Sequence, residues 1–425
     1  MKKPFFLLCG LAVITWPTAL AQQAPILASQ TTPPVTICNN AYYGGGFRVT
    51  PDGAIYNKDD LSILPHTAVL VNAMQQLRRA FGAHGTTLVP VILPLRGMLR
   101  ESEIIPNHDY EASARQYDRL ITQLRTAGFT VPNLVQTINS TSRPEPVFLR
   151  RDHHISPYGA SVIAQEVAQT LRGLPLYAAL AKTKFTTTHQ PQTFPYTDQS
   201  RAFQANEWLC DSKLPQTPAE QVELFTTTAT TQSSDLLGDE PVPDVAMVGS
   251  SQSKQTLNLP GWIKQDSDLD VLVDYVSAGG TWLGMQDYLL SRDFQEHPPK
   301  VLLWELPLDS IFAKRSDAPN GEDFRIVPQL LAAIQGKCDA PTVPVANNQL
   351  LIPAQSVPSY AVADTPDVAH ANAVLNVGNK TQNINLSERL KNRNTIYISL
   401  PIGRASSLSL PGSTAAWTAK ICQVR

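Results

Sequence analysis

Val245-Ala246-Met247-Val248-Gly249-Ser250-Ser251-Gln252-Ser253 is an apolar run that ends in a glycine and a cluster of serines. A short apolar run bounded by turn formers reads as a fully buried strand, the kind found in parallel sheets. A serine just past such a strand lies at the sheet's carboxyl edge, where α/β folds place their working groups. Ser251 is the leading nucleophile candidate; Ser250, expected to point back into the turn, and Ser253 are weaker ones. About a hundred residues earlier stands Arg150-Arg151-Asp152-His153-His154-Ile155-Ser156-Pro157-Tyr158-Gly159-Ala160. Ser156 is a good N-cap with Pro157 at the first helical position, so Asp152 and His154 sit in a turn just before a helix. Serine is a poor nucleophile near neutral pH. His154 can take its proton, Asp152 can fix the imidazole tautomer, and N–H groups of a strand-to-helix turn can hold an oxyanion. Asp-x-His and Gly-x-Ser are each common, so only their pairing and contexts give them weight.

Outward from these segments, strands and helices alternate. Val69, Leu70, Ala73, Leu77, Ala80 and Phe81 keep a helical period between His66 and Gly85. Thr87 to Pro94 and Lys300 to Leu306 read as buried strands, and Ala112 to Ala127 as a helix ended by Gly128. A further helix runs from Pro157 through Val162, Ile163, Val167 and Leu171. This order predicts an α/β fold, a parallel sheet flanked by helices on both faces. Residues 173–240 are rich in Thr, Gln and Pro without periodicity, and are expected to be loops at the rim of the site. Past 336 the pattern changes to short β-prone runs at Leu350–Ile352, Ala373–Val377, Thr395–Leu400 and Trp417–Val424, which predicts a small β-sandwich. The expected domains are 22–335 and 336–425.

Residues 1–21 read as a secretory signal: Lys2 and Lys3, an apolar Phe5–Ile14, and Ala19-Leu20-Ala21 for cleavage. The mature protein is therefore expected in the periplasm. Removing the signal takes Cys9 and leaves Cys38, Cys210, Cys338 and Cys422. In an oxidising compartment these suggest two disulfides; of the three connectivities, spacing favours Cys38–Cys210 and Cys338–Cys422. A net charge of −2 argues against a nucleic-acid partner.

Asp-x-His followed by a Ser-Pro helix start, with a later Gly-Ser-Ser-x-Ser turn, resembles the SGNH-type polysaccharide O-acetyltransferases, the AlgX/AlgJ-like alginate O-acetyltransferases in particular. Pro51-Asp52-Gly53, Gly85 to Pro94, Leu236 to Asp239 and Lys300 to Pro307 also resemble that family's segments. The resemblance implies an SGNH-hydrolase-like domain, Ser251 as nucleophile, His154 as base, Asp152 as orienting acid, and a C-terminal carbohydrate-binding module. It also makes Gly279 and Gly280 near-site or oxyanion candidates. The implied partners are an exported polysaccharide acceptor, alginate-like or another, and an acetyl-donor protein in a membrane-linked complex. Two departures stand out: Ile155 replaces the family's usual Trp, and Gln252 its usual Tyr.

Arg96, Arg100, Arg150 and Arg151 are candidates for binding an anionic sugar, and Lys391, Arg393 and Arg404 for binding carboxylates in the tail. Tyr360, Tyr397 and Trp417 can stack on sugars or fill the tail's core. Asp152, His153 and His154, with His108 and Asp109, match no strong zinc signature, and there is no nucleotide fingerprint, so no metal or other cofactor is expected. The rival functions are a carbohydrate acetylesterase with the same triad and a non-catalytic polysaccharide-binding subunit of a secretion complex.

Overall fold

The computed structural model describes residues 35–36, 47–50, 52–62, 67–142, 145–198, 200–203, 219–230, 242–277, 280–308, 322–335, 338–345, 347–357, 359–364, 372–385, 395–411 and 416–423. The signal segment, Pro51, Cys38, Cys210, Leu236 to Asp239, Gly279, Lys391 and Arg393 lie outside them, as does the Tyr397 side chain. In chain order the elements are β1 (Val35–Thr36), β2 (Arg48–Val49), β3 (Ile55–Tyr56), α1 (Thr67–Ala83), β4 (Thr87–Leu93), α2 (Tyr110–Thr126), α3 (Leu134–Ser140) and α4 (Pro157–Arg172). Then come β5 (Phe185–Tyr196), α5 (Ser200–Phe203), β6 (Glu220–Ala229), β7 (Val245–Gly249), α6 (Leu259–Ser267), β8 (Val271–Tyr275), α7 (Gly280–Leu290), α8 (Arg292–Glu296), β9 (Val301–Pro307) and α9 (Glu322–Gln335). The tail holds β10 (Val343–Pro344), β11 (Gln349–Ile352), β12 (Ser359–Asp364), β13 (Asn372–Val377), β14 (Lys380–Asn385), β15 (Thr395–Leu400), β16 (Ser406–Ser409) and β17 (Thr418–Gln423).

The central sheet has the order β4-β9-β7-β8, and every pairing in it is parallel. β7 and β9 are buried along their whole length, as their apolar sequences, broken in β9 by Glu305 alone, require of strands covered on both faces. Helices flank the sheet: α9 packs on both α1 and α7, and α4 packs on α3 and α6. Trp304 of β9 is fully buried, with its ring 5.2 Å from that of Trp282 on α7.

Residues 173–240 depart from the expectation of loops. β5 and β6 form an antiparallel ribbon in which Thr186, Thr187 and Thr188 face Thr228, Thr227 and Thr226. Most of β5 is exposed. Much of this ribbon is threonine and glutamine, and few of its residues are apolar, so the period-2 signal is weak although its β-branched threonines favour extended backbone.

The tail forms two four-stranded antiparallel sheets, β10-β17-β12-β15 and β11-β16-β13-β14. Leu350, Ala361, Leu375, Ile398, Leu408 and Trp417, drawn from both, share one core, which makes the pair a sandwich. Trp417 lies in that core and donates from Nε1 to Asn348 Oδ1 at 2.8 Å. β12 and β17 are covered on their other side too, where Tyr360, Val362 and Cys422 join the core of the α/β sheet. Tyr360 is thus a core residue, 2% exposed, and not a stacking platform for sugars. Cys338 and Cys422 are disulfide-bonded.

Candidate active site

The candidate acid and base, Asp152 and His154, sit on a tight loop. Phe148 and Ile155 form an antiparallel bridge, Leu149 N donates to His154 O (3.0 Å), and Asp152 N donates to Leu149 O (3.3 Å). Immediately after it, Ser156 caps α4 by accepting from Gly159 N at 2.9 Å, with Pro157 behind it. Beneath the loop lies Arg96, 3% exposed. Its guanidinium stacks 5.3 Å from both the Tyr56 and Phe148 rings and donates to the carbonyls of Ile55, Leu149, Arg150 and Asp152. Arg96 is therefore placed under the acid–base loop, not in a sugar groove: turned-in carbonyls need a donor when buried, and it supplies one.

On the other side, β7 ends in a single 3-10 turn, Ser251–Ser253. Glu305, fully buried near the end of β9, accepts from Ser250 N (2.6 Å), Ser250 Oγ (3.0 Å) and Ser253 Oγ (3.2 Å). Ser250 and Ser253 are tied inward by that carboxylate. Ser251 is left half-buried, and its Oγ lies 2.8 Å from His154 Nε2. His154 Nδ1 rests on Asp152 Oδ1. A carboxylate only accepts, so Nδ1 carries the proton and Nε2 is free to take one from Ser251.

Asp152 is 1% exposed and also accepts from His154 N (2.9 Å) and Ser200 N (2.8 Å). Burial by itself raises its pKa, but the bond to His154, the charges of His153 and His154 and the Ser200 N–H outweigh it, holding the carboxyl well below the usual range.

Three further side chains touch the site: Gln252, which the sequence marks only as a departure from the family pattern, and Tyr196 and Lys254, which carried no sequence signal. Gln252 accepts from Ile155 N (2.9 Å) and donates to His153 O (3.1 Å), so its amide grips the backbone on both sides of His154. The two departures from the family pattern, Ile155 and Gln252, thus meet. Tyr196, at the end of β5, places its hydroxyl 3.1 Å from His154 Nδ1. Burial and the charges of Asp152 and Asp198 raise its pKa, which keeps the phenol protonated. Lys254 donates to that same hydroxyl.

Donor atoms of Asp152, His153 and His154 lie within 4.8 Å of one another. His154 is committed as above, and His153 Nδ1 lies 2.6 Å from Ser200 Oγ. His108 and Asp109 do not join them: His108 bonds Gly97 O (2.7 Å), and Asp109 caps α2. Arg150 pairs with Asp52 and Glu220 (both 3.3 Å), and Arg100 with Glu103 on the surface (3.7 Å). Arg151 is half-buried, and its carbonyl accepts from the N–H groups of Arg201 and Ala202. Arg404 is exposed in the turn between β15 and β16. Gly280 opens α7, where Gly284 packs against the Gly249 carbonyl.

A family described as the SGNH hydrolase-like domain of the acetyltransferase AlgX matches residues 56–308. The chain belongs to this family. It is 28% identical over 294 residues to the alginate biosynthesis protein AlgX of Pseudomonas syringae pv. tomato, covering 66% of this chain and 58% of that protein. It is 26% identical over 276 residues to the probable alginate O-acetylase AlgJ of Pseudomonas aeruginosa, covering 62% and 69%. The chain thus spans little more than half the length of its AlgX relative. Among solved structures, Pseudomonas aeruginosa AlgX superposes with a TM-score of 0.66 at 20% identity, over 91% of this chain and 98% of that one. The O-acetyltransferase domain of Pseudomonas putida AlgJ gives 0.51 at 22% identity, over 64% and 94%. These likenesses agree with the fold: an SGNH-like parallel sheet flanked by helices, with added antiparallel sheets.

Proposed function

We propose that this chain is an acetyltransferase that moves acetyl groups, through Ser251, onto hydroxyls of an exported alginate-type polysaccharide. The single observation that carries it is the 2.8 Å contact of Ser251 Oγ with His154 Nε2 while Asp152 holds Nδ1. Kinship with the AlgX and AlgJ proteins supplies the acyl group and the polymer. In the first half-reaction Ser251 Oγ attacks the donor's acetyl carbon as His154 takes its proton. The Ser251 N–H, at the start of the 3-10 turn, is suited to stabilise the oxyanion. Collapse expels the donor's leaving group, which receives the proton from His154. In the second, a sugar hydroxyl attacks the acetyl-serine, His154 takes that proton, and the released Ser251 recovers it. Asp152 stays ionised and steadies the imidazolium. No step requires a metal or another cofactor.

The donor is proposed to be a partner protein of a membrane-linked complex, and the compartment the periplasm. The signal-like N-terminus and the Cys338–Cys422 disulfide support that compartment. Among the described residues, no helix is long and apolar enough to cross a membrane. The β-sandwich, which shares core residues with the α/β sheet, is proposed to hold the polymer.

The test pairs an aryl acetate donor with defined uronate oligosaccharides. Acetylated oligosaccharide in the mass spectrum is expected from the wild-type chain and not from Ser251→Ala. Free acetate alone, whatever the acceptor, would make the protein an esterase. Failure of a covalent serine probe to label the wild type would leave a binding subunit.

A further inference from the structure

On the Nδ1 side of His154 lies a polar cluster that acyl transfer itself does not use. Lys254 follows the nucleophile by three residues. Its Nζ donates to Tyr196 Oη, sits 4.6 Å from the centroid of that ring, and lies 3.7 Å from Asp198 Oδ2. The same Asp198 oxygen is 3.9 Å from His154 Nδ1. The Lys254 side chain is 20% exposed and that of Asp198 56%. At 3.7 Å the contact is an ion pair without a hydrogen bond, and a pair whose carboxylate faces solvent is weak and easily exchanged. A sheltered ammonium beside the catalytic imidazole thus holds a carboxylate loosely, and that carboxylate belongs to a solvent-facing side chain.

Two of the arginines that the sequence offers for recognising an acidic sugar are committed elsewhere. Arg96 is spent on four carbonyls and Arg150 on two carboxylates. Lys254 has what they lack: a position one side chain from the reacting groups, an ammonium braced on Tyr196, and a partner that can leave.

We infer that Lys254 is the carboxylate anchor of the acceptor subsite. It binds the acid group of a uronic-acid residue beside the hydroxyl to be acetylated, and Asp198 occupies that position in the free protein. The inference rests on the acetyltransferase reading and deepens it. The braced amine fixes one point of the sugar, the triad acts at another, and the acceptor hydroxyl is presented to His154 in a set orientation.

The experiment uses the full chain, an aryl acetate donor and two acceptors: a uronate oligosaccharide and its carboxyl methyl ester, which is neutral and has no added hydroxyl. The wild type is expected to favour the acid by about tenfold or more in kcat/KM, the scale of a hydrogen bond to a charged group. Lys254→Gln should lose the preference, chiefly through acceptor KM, and Lys254→Arg should keep most of it. Asp198→Asn should lower KM for the acid, because the internal competitor is gone. A purely structural role for Lys254 would instead reduce kcat on both acceptors alike. If the wild type transfers acetyl and Lys254→Gln still prefers the acid, or if the wild type uses both acceptors equally, the anchor is overturned and the acetyltransferase reading stands. If the wild type transfers to neither acceptor, that reading fails and the anchor falls with it.

Discussion

Gln252 joins two segments that the chain separates by almost a hundred residues. Its amide bonds the backbone at His153 and at Ile155, so the imidazole between them is set relative to Ser251. Gln252→Leu removes both bonds and takes the acceptor from the buried Ile155 N–H, at a cost of about 1–3 kcal/mol. We expect a clear fall in kcat for aryl acetate hydrolysis together with a lower melting temperature; unchanged kcat would show that the loop holds itself. Asp152→Asn should keep the geometry and mis-set the tautomer, with a loss in kcat approaching ~10⁴-fold. His153→Ala, which touches only the flank of the site, should be far milder than His154→Ala. Asp152 also links pH to stability. Its carboxyl lies below the usual range in the folded state, so the stabilisation is present above the unfolded value near ~4 and is lost as the pH falls through the folded value. Melting curves between about pH 5 and pH 2 should therefore fall less steeply for Asp152→Asn than for the wild type.

At the scale of elements, the site is set by how β7 meets β9. Val248 pairs with Trp304, which brings Gly249 against the Glu305 side chain that holds the serine turn. A Cβ on Gly249 would lie 2.4 Å from Glu305 Oε2 and 3.0 Å from Ser253 Oγ. Gly249→Ala should thus cost about 1–3 kcal/mol, as overpacking does. It should also shift Ser251, so urea midpoint and activity are expected to fall together. The strand before the serines and the Ser156-Pro157 helix start were legible because apolar runs and caps are local signals. The β5–β6 ribbon was not, since its strands hold few apolar residues to show an alternation. Tyr196, the residue it delivers to His154, was hidden with it.

At the scale of the whole molecule, the tail serves two cores. Ala361 and Ala363 of β12 face the sandwich interior, while Tyr360 and Val362, at alternate positions, enter the core of the α/β sheet. The disulfide spans a sequence separation of 84 and ties the chain just after α9 to β17. Closing a loop of that length is worth about 4–5 kcal/mol in the chain-entropy model. The Cys338→Ser/Cys422→Ser double variant should therefore show a much lower denaturant midpoint. If the tail only holds polymer, aryl acetate turnover should survive in whatever fraction stays folded, while transfer to long oligosaccharides weakens. Equal loss of both activities in the folded fraction would give the tail a part in the site itself.

Order and chemistry were written in the chain: the alternation of strands and helices, the β-rich tail, the acid–base loop ahead of the serine, and the residue types of a triad. These depend on short-range causes, namely side-chain period, caps and turn formers, which act within a few residues. The packing decided what distance along the chain conceals. It turned Ser250 and Ser253 inward onto Glu305 and left Ser251 facing His154. It buried Arg96 under four carbonyls, which could not be foreseen because an arginine's partners depend on which backbone groups the fold leaves unpaired. It also brought Tyr196, Asp198 and Lys254 to one edge of the imidazole. Side-chain direction and burial are properties of the assembled surfaces, so only the tertiary structure could set them.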